Sequence, residues 1–418
     1  MVGDWLEVSL GDVCAMRAGC VFPPRLQGKT AGVYPLAKVS DMNLASNTVC
    51  IRDANNWVDE ADIAQLRTMP FVPGATVFAK IGEGLKQNRL RYLVQETIID
   101  NNMMGATPDT TRVDSRFFFY SLSQFDFAEV AGGTALPYLT VSALSSLTLK
   151  LPPLPEQRAI AHVVGALDDK IELNRRTNET LEAIAQAIFK SWFVDFDPAR
   201  AKMEGRRPFG MDAATAALFP DSFVDSPLGG IPKGWRVGTL GELADVTSGK
   251  RPDERVSQSM PEAGVPLWGG NGPMAYVREP LFSQPILLTG RVGTLGSVFR
   301  ITSPCWPSDN TLVVLPKEPI AYQYLFFQMW RIDFDALNRG STQPLLTQTD
   351  LKAQTIPTPP RTVLQEFHKN AGGLFNRIDR AEEESRTLAA IRDALLPKLI
   401  SGEMRVRDAE RFLKERGL

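Results

Sequence analysis

The chain of 418 residues is 44% hydrophobic and 22% charged, which is typical of an ordinary globular protein and excludes a disordered or fibrous one. No uncharged apolar run approaches the ~18 residues that a membrane helix needs. Asp4 and Glu7 lie where a signal peptide would be basic and then apolar. We therefore expect a cytoplasmic protein of about two to four domains. The 46 Lys and Arg against 48 Asp and Glu give a net charge of -2, so the overall charge does not indicate nucleic-acid binding.

The cysteines and histidines argue against a zinc site. Cys14, Cys20, Cys50 and Cys305 form no C-x-x-C pair, and the two histidines lie far apart in the sequence. We expect four buried or half-buried thiols in a reducing compartment.

Residues 1 to about 150 contain short β-branched and aromatic runs that are broken by Gly, Pro, Asn and Asp. The runs over 75–81 and 92–99 predict strands, and residues 116–129 have a helical pattern. This mixture predicts an α+β domain.

A basic loop follows the first of these strands, where four cationic side chains crowd around the single Glu83 in a stretch that contains two glycines. Glycines let a backbone approach a phosphate, and Lys and Arg neutralise it. Arg, Gln and Asn side chains can form paired hydrogen bonds to base edges. A basic loop that is merely solvated is the alternative interpretation. The predicted DNA contacts in this half are Lys80, Lys86, Gln87, Asn88, Arg89 and Arg91, with Thr134 and Tyr138 in a later glycine-rich turn.

A heptad seam begins after the proline-rich boundary at 151–155, because apolar residues alternate steps of four and three. Residues 156–193 would form a rod of about 57 Å at 1.5 Å per residue. Asn174 and Asn178 interrupt the seam, either to fix its register or orientation or as imperfect core positions. The predicted seam residues of this helix are Ile160, Val164, Leu167, Ile171, Leu181 and Ile188.

The next segment, residues 196–234, is rich in Pro and Gly, which is typical of a linker. The second globular part, from 235 to about 356, has strand-like runs at 285–289 and 311–315 and a helical pattern over 322–336. It again has basic loops and a polar turn. The predicted DNA contacts in this half are Lys250, Arg251, Arg291, Arg300, Ser341, Thr342 and Gln343.

A second heptad seam follows the prolines at 357–360 and repeats the first seam in register, with Phe367 at the position of Ile160. Arg392 is the one charged residue at a seam position, and the apolar Ile391 lies next to it in the sequence. A narrow apolar seam needs a partner helix, and the obvious partner of each long helix is the other one. The predicted seam residues of this helix are Phe367, Leu374, Ile378, Leu388 and Leu395.

The chain is therefore an internal duplication. A pattern from Trp5 to Gly19 recurs from Trp235 to Gly249, and the pattern from Gly133 to Thr140 recurs from Gly340 to Thr347. The second half is thus shorter than the first between these landmarks. Weaker matches lie between them. They align Ile81-Gly82 and Arg89 with Val292-Gly293 and Arg300, and Asp100-Asn101 with Asp309-Asn310.

Catalytic motifs are not recognisable. Gly28-Lys29-Thr30 looks like the end of a phosphate-binding loop, but Pro23 occupies the position of its first glycine. Pro108-Asp109 and the Asp-Asp-Lys of residues 168–170 match the residue types of a nuclease motif, P-D followed by D/E-x-K. However, residues 168–170 lie inside the heptad helix, whereas a metal-binding motif of this kind is normally at the edge of a strand. We expect no catalysis by this chain alone.

Four segments resemble the specificity (S) subunits of type I restriction-modification systems, namely Leu151–Gln157, Leu167–Asn174, Ala187–Phe193 and Gly230–Trp235. The resemblance covers essentially the whole chain and includes the duplication. It implies two target recognition domains, each reading one part of a split DNA site. It also implies two antiparallel helices that set the gap between those parts and bind two modification subunits.

In such systems the S subunit itself is non-catalytic. The resemblance implies S-adenosylmethionine in the modification subunits, which methylate adenine, and ATP and Mg in the restriction subunits, which cut DNA. Target recognition domains vary between members, so the DNA contacts above stay inferences from charge and loop chemistry.

We therefore predict an α+β fold with two mixed α/β target recognition domains, separated by two long antiparallel coiled-coil helices in a pseudo-twofold internal repeat. The alternative function is a coiled-coil scaffold that presents two protein-binding domains without DNA readout and shows no salt-dependent DNA affinity. The predicted boundaries are 1–153 and 235–358 for the recognition domains, 154–195 and 359–402 for the spacer helices, 196–234 for the linker and 403–418 for a C-terminal tail.

Overall fold

The computed structural model describes residues 5–133, 136–260 and 262–416. The chain divides into two compact units. The first unit comprises Met1–Arg176 and Ala381–Leu418, and the second comprises Thr177–Arg380. Each unit combines short strands, short helices and parts of two long helices, which confirms the predicted mixed α/β class. No helix in the described ranges has both the length and the apolarity that crossing a membrane requires.

Short strands and helices are interspersed along the described residues. Up to the first long helix they are β1 (Leu6–Ser9), β2 (Cys14–Ala18), β3 (Tyr34–Ala37), β4 (Cys50–Ile51), β5 (Trp57–Val58), α1 (Glu60–Leu66), β6 (Thr76–Ala79), α2 (Gly82–Lys86), β7 (Leu90–Leu93), β8 (Ile98–Ile99), β9 (Met103–Pro108), α3 (Ser115–Leu122), α4 (Phe127–Val130), α5 (Val141–Ser145), β10 (Thr148–Leu151) and α6 (Leu154–Phe193). They continue as α7 (Asp197–Met203), α8 (Ala213–Ala217), β11 (Phe223–Val224), β12 (Ile231–Pro232), β13 (Arg236–Thr239), α9 (Leu240–Leu243), β14 (Ala244–Ser248), β15 (Val265–Gly269), β16 (Gly272–Val277), β17 (Ile286–Gly290), β18 (Val298–Ile301), β19 (Trp306–Pro307), β20 (Thr311–Pro316), α10 (Tyr322–Trp330), α11 (Gln348–Lys352), β21 (Thr355–Thr358), α12 (Arg361–Ser401) and α13 (Val406–Lys414).

The sheets repeat between the two units. The main sheet has the order β2-β9-β6-β7-β4 in the first unit and β14-β20-β17-β18 in the second. A smaller sheet has the order β5-β3-β8 in the first unit and β16-β15-β19 in the second, and each contains one parallel pair. A two-strand ribbon, β1-β10 or β13-β21, joins the start of each globular part to the strand before its long helix. The duplication read from the sequence is thus a duplication of the fold.

The structure locates most of the extra length of the first half. In the parallel pair of each small sheet, Ala37 of β3 pairs with Ile99 of β8, and Trp268 of β15 pairs with Pro307 of β19. Ala37 and Trp268 therefore occupy equivalent positions. Lys80 and Arg291 accept equivalent backbone hydrogen bonds. Between these two landmarks the first unit has residues 38–79, whereas the second has only residues 269–290. The extra residues therefore lie mainly between β3 and β6, the segment that contains β4, β5 and α1.

Two of the weaker sequence matches were wrong in register. The N–H of Lys80 donates to the carbonyl of Asn102, and that of Arg291 donates to Asn310, so Asn310 corresponds to Asn102 rather than to Asn101. Thr76 of β6 pairs with Tyr92 of β7, and in the equivalent strand pair Leu287 of β17 pairs with Arg300 of β18. Arg300 therefore corresponds to Tyr92 and not to Arg89. The loop between β6 and β7 is longer than the one between β17 and β18, which accounts for the mismatch at Arg300.

Several predicted elements are shorter than their sequence patterns. The helix predicted over 116–129 is two helices, because Asp126 caps a new one by accepting from the N–H of Ala128. The run at 92–99 holds the end of β7 and the separate β8. The pattern over 322–336 is helical only in α10.

The two long helices begin directly after prolines, which terminate the preceding strand and are tolerated in a first helical turn. α6 has 40 residues and α12 has 41. The segment predicted as a linker is folded, since it contains α7 and α8 and buries Phe196 and Phe219 in the core of the second unit. The segment predicted as a C-terminal tail contains α13, whose Ala409 is fully buried.

Candidate nucleic-acid interface

Three loops of the first unit leave the same edge of its main sheet. β2 ends at Ala18, beside the first residues of β9. β6 ends at Ala79, which lies opposite Met103 at the start of β9. The loops of residues 19–25, 80–89 and 100–102 therefore lie side by side at this edge of the sheet. We call these three loops the first loop edge.

The glycine-rich turn predicted to contact DNA pairs with this edge. The N–H of Leu139 donates to the carbonyl oxygen of Lys80 at 2.8 Å, and the N–H of Gly82 donates to that of Pro137 at 2.9 Å. Gly82 has a φ of 70°, which glycine adopts without a steric penalty. Tyr138 is 48% exposed between these two bonds. The structure thus brings Lys80 and Tyr138 together, and Thr134 lies outside the described residues.

The exposed side chains of this edge include three of the predicted residues. Lys86, Gln87 and Arg89 are all exposed. Lys86 forms a solvated ion pair with Glu83 at 3.0 Å, which contributes little to stability. Arg89 makes no side-chain hydrogen bond or ion pair within the part of the chain that the structure describes, so its guanidinium is available to a ligand.

Asn88 and Arg91 have structural roles that the sequence did not reveal. The Asn88 amide donates to the carbonyl of Phe125 at 2.6 Å and accepts from the N–H of Phe127 at 3.2 Å. The Arg91 guanidinium donates to the carbonyls of three residues, and burial lowers the pKa of Arg91 to about 10 because desolvation disfavours its charge. These carbonyls belong to Met42, Asn47 and Leu90. We therefore leave both residues out of the proposed interface.

The second unit repeats this arrangement at a second loop edge, formed by residues 249–255, 291–297 and 308–310. β14 ends at Ser248, and β17 ends opposite Thr311 at the start of β20. The N–H of Gly249 donates to the carbonyl of Thr311 at 3.1 Å, as that of Gly19 does to Met103. A Cβ at Gly249 would lie 2.2 Å from the carbonyl oxygen of Ser308, so only glycine fits there. Lys250 and Arg251 follow this glycine with exposed side chains.

The polar turn of the second half pairs with this edge in the same way. The N–H of Leu346 donates to the carbonyl of Arg291 at 2.8 Å, and that of Gly293 donates to Pro344 at 3.0 Å. The side chains of residues 341–343, namely Ser341, Thr342 and Gln343, are exposed next to this pair of bonds. The predicted residues of the two motifs thus converge in each unit.

Arg300 is the exception in the second unit. Its guanidinium forms a bidentate ion pair with Asp379 and lies 4.4 Å from the ring centroid of Phe375. Only 10% of its side chain is exposed. Arg300 therefore anchors β18 to α12, and we leave it out of the proposed interface.

A second group of cations at the first loop edge was not predicted from the sequence. Arg17, Arg25 and Arg67 line a groove there, together with Gly19 and Met69. One signal was available, because the offset that relates Gly19 to Gly249 also relates Arg25 to Arg255. No local pattern marks Arg67, which lies far from Arg25 in the sequence.

Within each unit the two long helices pack antiparallel. In the first unit Asp168 contacts Arg392 and Asn174 contacts Ser385. In the second unit Asn178 contacts Ile378 and the ring of Phe189 lies near that of Phe367. Residue numbers therefore fall along α12 as they rise along α6. The predicted seam is not limited to helix–helix contacts, because the cores of the globular parts also pack against it. Buried seam residues are Ile160, Val164, Leu167, Leu181, Phe367, Ile378, Leu388 and Leu395, and half-buried ones are Ile171, Ile188 and Leu374.

The charged Arg392 in the second seam has a buried partner. Its guanidinium donates to one carboxylate oxygen of Asp168 at 2.7 Å, and the hydroxyl of Tyr120 donates to the other at 2.6 Å. The Asp168 side chain is only 4% exposed. Asp168 thus belongs to a buried network that joins α6, α12 and α3.

The described ranges contain no group of three or more His, Cys, Asp or Glu side chains placed to hold a metal ion. Three thiols are half-buried, and Cys305 is buried. Burial raises the pKa of the Cys14 thiol to about 12 and that of Cys305 to about 11, so both stay protonated and unreactive at neutral pH.

Comparisons with known proteins agree with this architecture. The type I restriction modification DNA specificity domain matches residues 3–183 and again 232–389. The HindI specificity subunit of Haemophilus influenzae is 26% identical over 488 residues, covering 96% of this chain and all of that protein. The MjaIX specificity subunit of Methanocaldococcus jannaschii is 28% identical over 324 residues, covering 71% of this chain and 70% of that protein.

The fold comparison gives the same result. The crystal structure of the type I restriction-modification S subunit from M. genitalium superposes with a TM-score of 0.61 at 17% identity, covering 95% of this chain and 96% of that one. The resemblance first drawn from four short segments is therefore confirmed over both halves. This chain belongs to the family of type I restriction-modification DNA specificity proteins.

Proposed function

We propose that this chain is the non-catalytic subunit that gives a type I restriction-modification complex its DNA specificity. Residues 1–153 and 235–358 would be its target recognition domains, each reading one part of a split DNA site. The observation that carries this proposal is the pair of loop edges, since two folded units of one chain present equivalent exposed loops.

The chemistry of both loop edges suits duplex DNA. Lys80, Arg89, Lys250 and Arg251 can neutralise phosphates. Gln87 and residues 341–343 carry amide and hydroxyl groups that can bond base edges in the major groove. The polar groups differ between the two edges, which supports two half-sites of different sequence.

The partners follow from the family. We infer that the helices at 154–195 and 359–402 dock two modification subunits, which bind S-adenosylmethionine and methylate adenine. Restriction subunits would supply the ATP- and Mg-dependent cleavage of DNA. This division of labour explains how a chain with a net charge of -2 can serve DNA recognition, because its partners share the neutralisation of the backbone.

The test is selection from random-sequence DNA by the chain assembled with its modification subunits. We expect a bipartite motif whose two parts are separated by a fixed number of unspecified bases. Enrichment of one continuous motif, or of none, would overturn the proposal.

A salt titration separates this function from a scaffold without DNA readout. Binding that neutralises several phosphates must weaken steeply as salt rises, with a slope of about -0.9 per phosphate in a plot of log K against log salt. A scaffold would show no such dependence. Exchange of residues 235–358 for those of a related subunit supplies the positional control, because only one part of the motif should then change.

A further inference from the structure

A basic groove of about 780 Å³ lies beside the first loop edge. Its wall on one side is residues 17–25, and its wall on the other is residues 65–69. Three arginines and no acidic residue are among the described residues that line it. A groove with this charge suits an anion.

Arg17 lines one wall of the groove, and its guanidinium is held by contacts with the other wall. Its guanidinium donates to the carbonyls of Met69 at 2.7 Å and Pro70 at 3.1 Å, and it lies 3.6 Å from the ring centroid of Phe71. These contacts fix the segment that follows α1 against the end of β2. The two walls are therefore held at a set distance.

Arg25 and Arg67 carry the free charge of the groove. Both are exposed, and neither side chain forms a hydrogen bond or an ion pair with another described residue. Arg67 ends α1 in the left-handed conformation with a φ of 48°, a geometry that glycine usually supplies. Val21 and Met69 are 70% and 74% exposed beside these cations, so the mouth of the groove also offers apolar contacts.

One wall of the groove exists only in the first unit. Between β5 and β6 the first unit has residues 59–75, which include α1 and Arg67. Between β16 and β17 the second unit has only residues 278–285, all of them described and none helical. The second unit has Arg255 at the offset that relates Gly19 to Gly249, and its segment 278–285 contains no helix that corresponds to α1.

We propose that this groove binds backbone phosphates of the DNA flanking the first half-site, between Arg25 and Arg67. The inference rests on the proposed function, because it assigns an additional DNA contact to the same sheet edge. The first recognition domain thereby contacts phosphates through the α1 segment, which has no counterpart in the second domain. These contacts position the domain on the duplex and read no bases.

The test uses the complex of this chain with its modification subunits and a duplex that carries the selected bipartite site. The double variant Arg25→Gln with Arg67→Gln should make the slope of log K against log salt less negative by about 2, since about one phosphate contact is lost with each cation. Phosphate-ethylation interference should disappear at flanking positions of the first half-site only, and the recognition motif should not change. The variant with Arg25→Lys and Arg67→Lys keeps the charge and should keep the wild-type slope.

Arg255→Gln is the matched control in the second unit, and its loss of interference should fall at the second half-site. The inference is overturned if the double glutamine variant keeps the wild-type slope and interference pattern while the wild-type complex still selects a bipartite site. It is equally overturned if the motif changes but the slope does not. Failure of the proposed function would look different, because the wild-type complex itself would select no bipartite site.

Discussion

The side-chain amide of Asn174 donates to the carbonyl oxygen of Ala381 at 3.3 Å, and Ala381 is the residue that occupies the position of Asn174 in the second repeat. In an antiparallel pair a residue meets its own repeat equivalent only at the middle of the pair. The same amide donates to Glu384 at 2.7 Å and to Ser385 at 3.2 Å. A polar group with several partners at this place favours one helix register over a slipped one.

Replacing Asn174→Ala should destabilise the first unit by about 1–2 kcal/mol, because three hydrogen bonds are lost and the Ser385 hydroxyl loses a buried partner. Urea denaturation followed by circular dichroism measures this change. Asn178→Ala is the matched control, since its amide makes one long bond of 3.4 Å to Ile378 and its buried oxygen has no partner among the described residues. Equal losses for the two variants would show that Asn174 has no special role in the register.

Removing the charge of Arg392 should be more costly. Arg392→Met leaves the Asp168 carboxylate, which is 4% exposed, without its cation, and breaking such a pair costs about 3 kcal/mol. Adding Asp168→Asn should restore a large part of this loss, because the buried charge is then removed as well. A double-mutant cycle measures the coupling. Asp393→Asn removes only the exposed partner of Arg392 and should change the free energy of unfolding by less than about 0.5 kcal/mol.

The stability of the first unit should depend on pH through Glu172. Arg175 and Arg176 hydrogen-bond this carboxylate, each at 2.8 Å, and they lower its pKa against the opposing effect of burial. A lowered folded-state pKa stabilises the protein above the unfolded-state pKa, and this contribution disappears as the pH falls through the folded-state value. Glu172→Gln should therefore be less stable than wild type at pH 7, and the difference should shrink as the pH falls through the folded-state pKa of Glu172.

Glu182 on the same helix supplies the opposite case. Burial raises its pKa, so its charge destabilises the folded chain at neutral pH. Glu182→Gln should raise the denaturation midpoint at pH 7, with a difference that shrinks as the pH falls toward the range in which Glu182 is protonated in both states.

For Glu172 the contradicting outcome is a Glu172→Gln variant with the same midpoint as wild type at pH 7. That result would contradict the role assigned to Arg175 and Arg176.

The long helices and the duplication could be predicted because their signals are local or periodic. The heptad spacing and the prolines at 152–155 and 357–360 identify the helices without knowledge of the fold. Arg392 could not be understood in this way, since its partner Asp168 lies 224 residues away and only tertiary packing joins them. The Pro- and Gly-rich segment 196–234 looked like a linker because composition does not reveal that Phe219 would be buried.

The candidate interface shows the same limit. Lys80 and Tyr138 could be chosen from charge and turn chemistry, but their adjacency depends on the backbone bonds between residues 80–82 and 137–139. Arg89 and Arg91 look equivalent in the sequence, yet Arg89 is exposed in the loop whereas the guanidinium of Arg91, inside β7, turns back to backbone carbonyls. The acceptors that bind Arg91 come from residues 42 and 47, which no local pattern connects to it.

The contrast between the exposed Arg89 and the buried guanidinium of Arg91 gives a test of the first loop edge. Arg89→Gln should weaken DNA binding by the complex and make the slope of log K against log salt less negative by about 1, because one phosphate contact is lost. Its melting temperature should equal that of wild type, since Arg89 is exposed and its side chain makes no hydrogen bond or ion pair with the residues described.

Arg91→Gln should behave in the reverse way. It removes hydrogen bonds to the carbonyls of Met42 and Asn47 and so should lower the melting temperature of the first unit. Where the variant remains folded, its salt slope should be that of wild type. The two variants together separate binding from stability, because each removes one positive charge from neighbouring positions. If Arg89→Gln left both affinity and slope unchanged, the loop at 80–89 would not contact DNA, and the first recognition domain would have to bind through another part of its sheet edge.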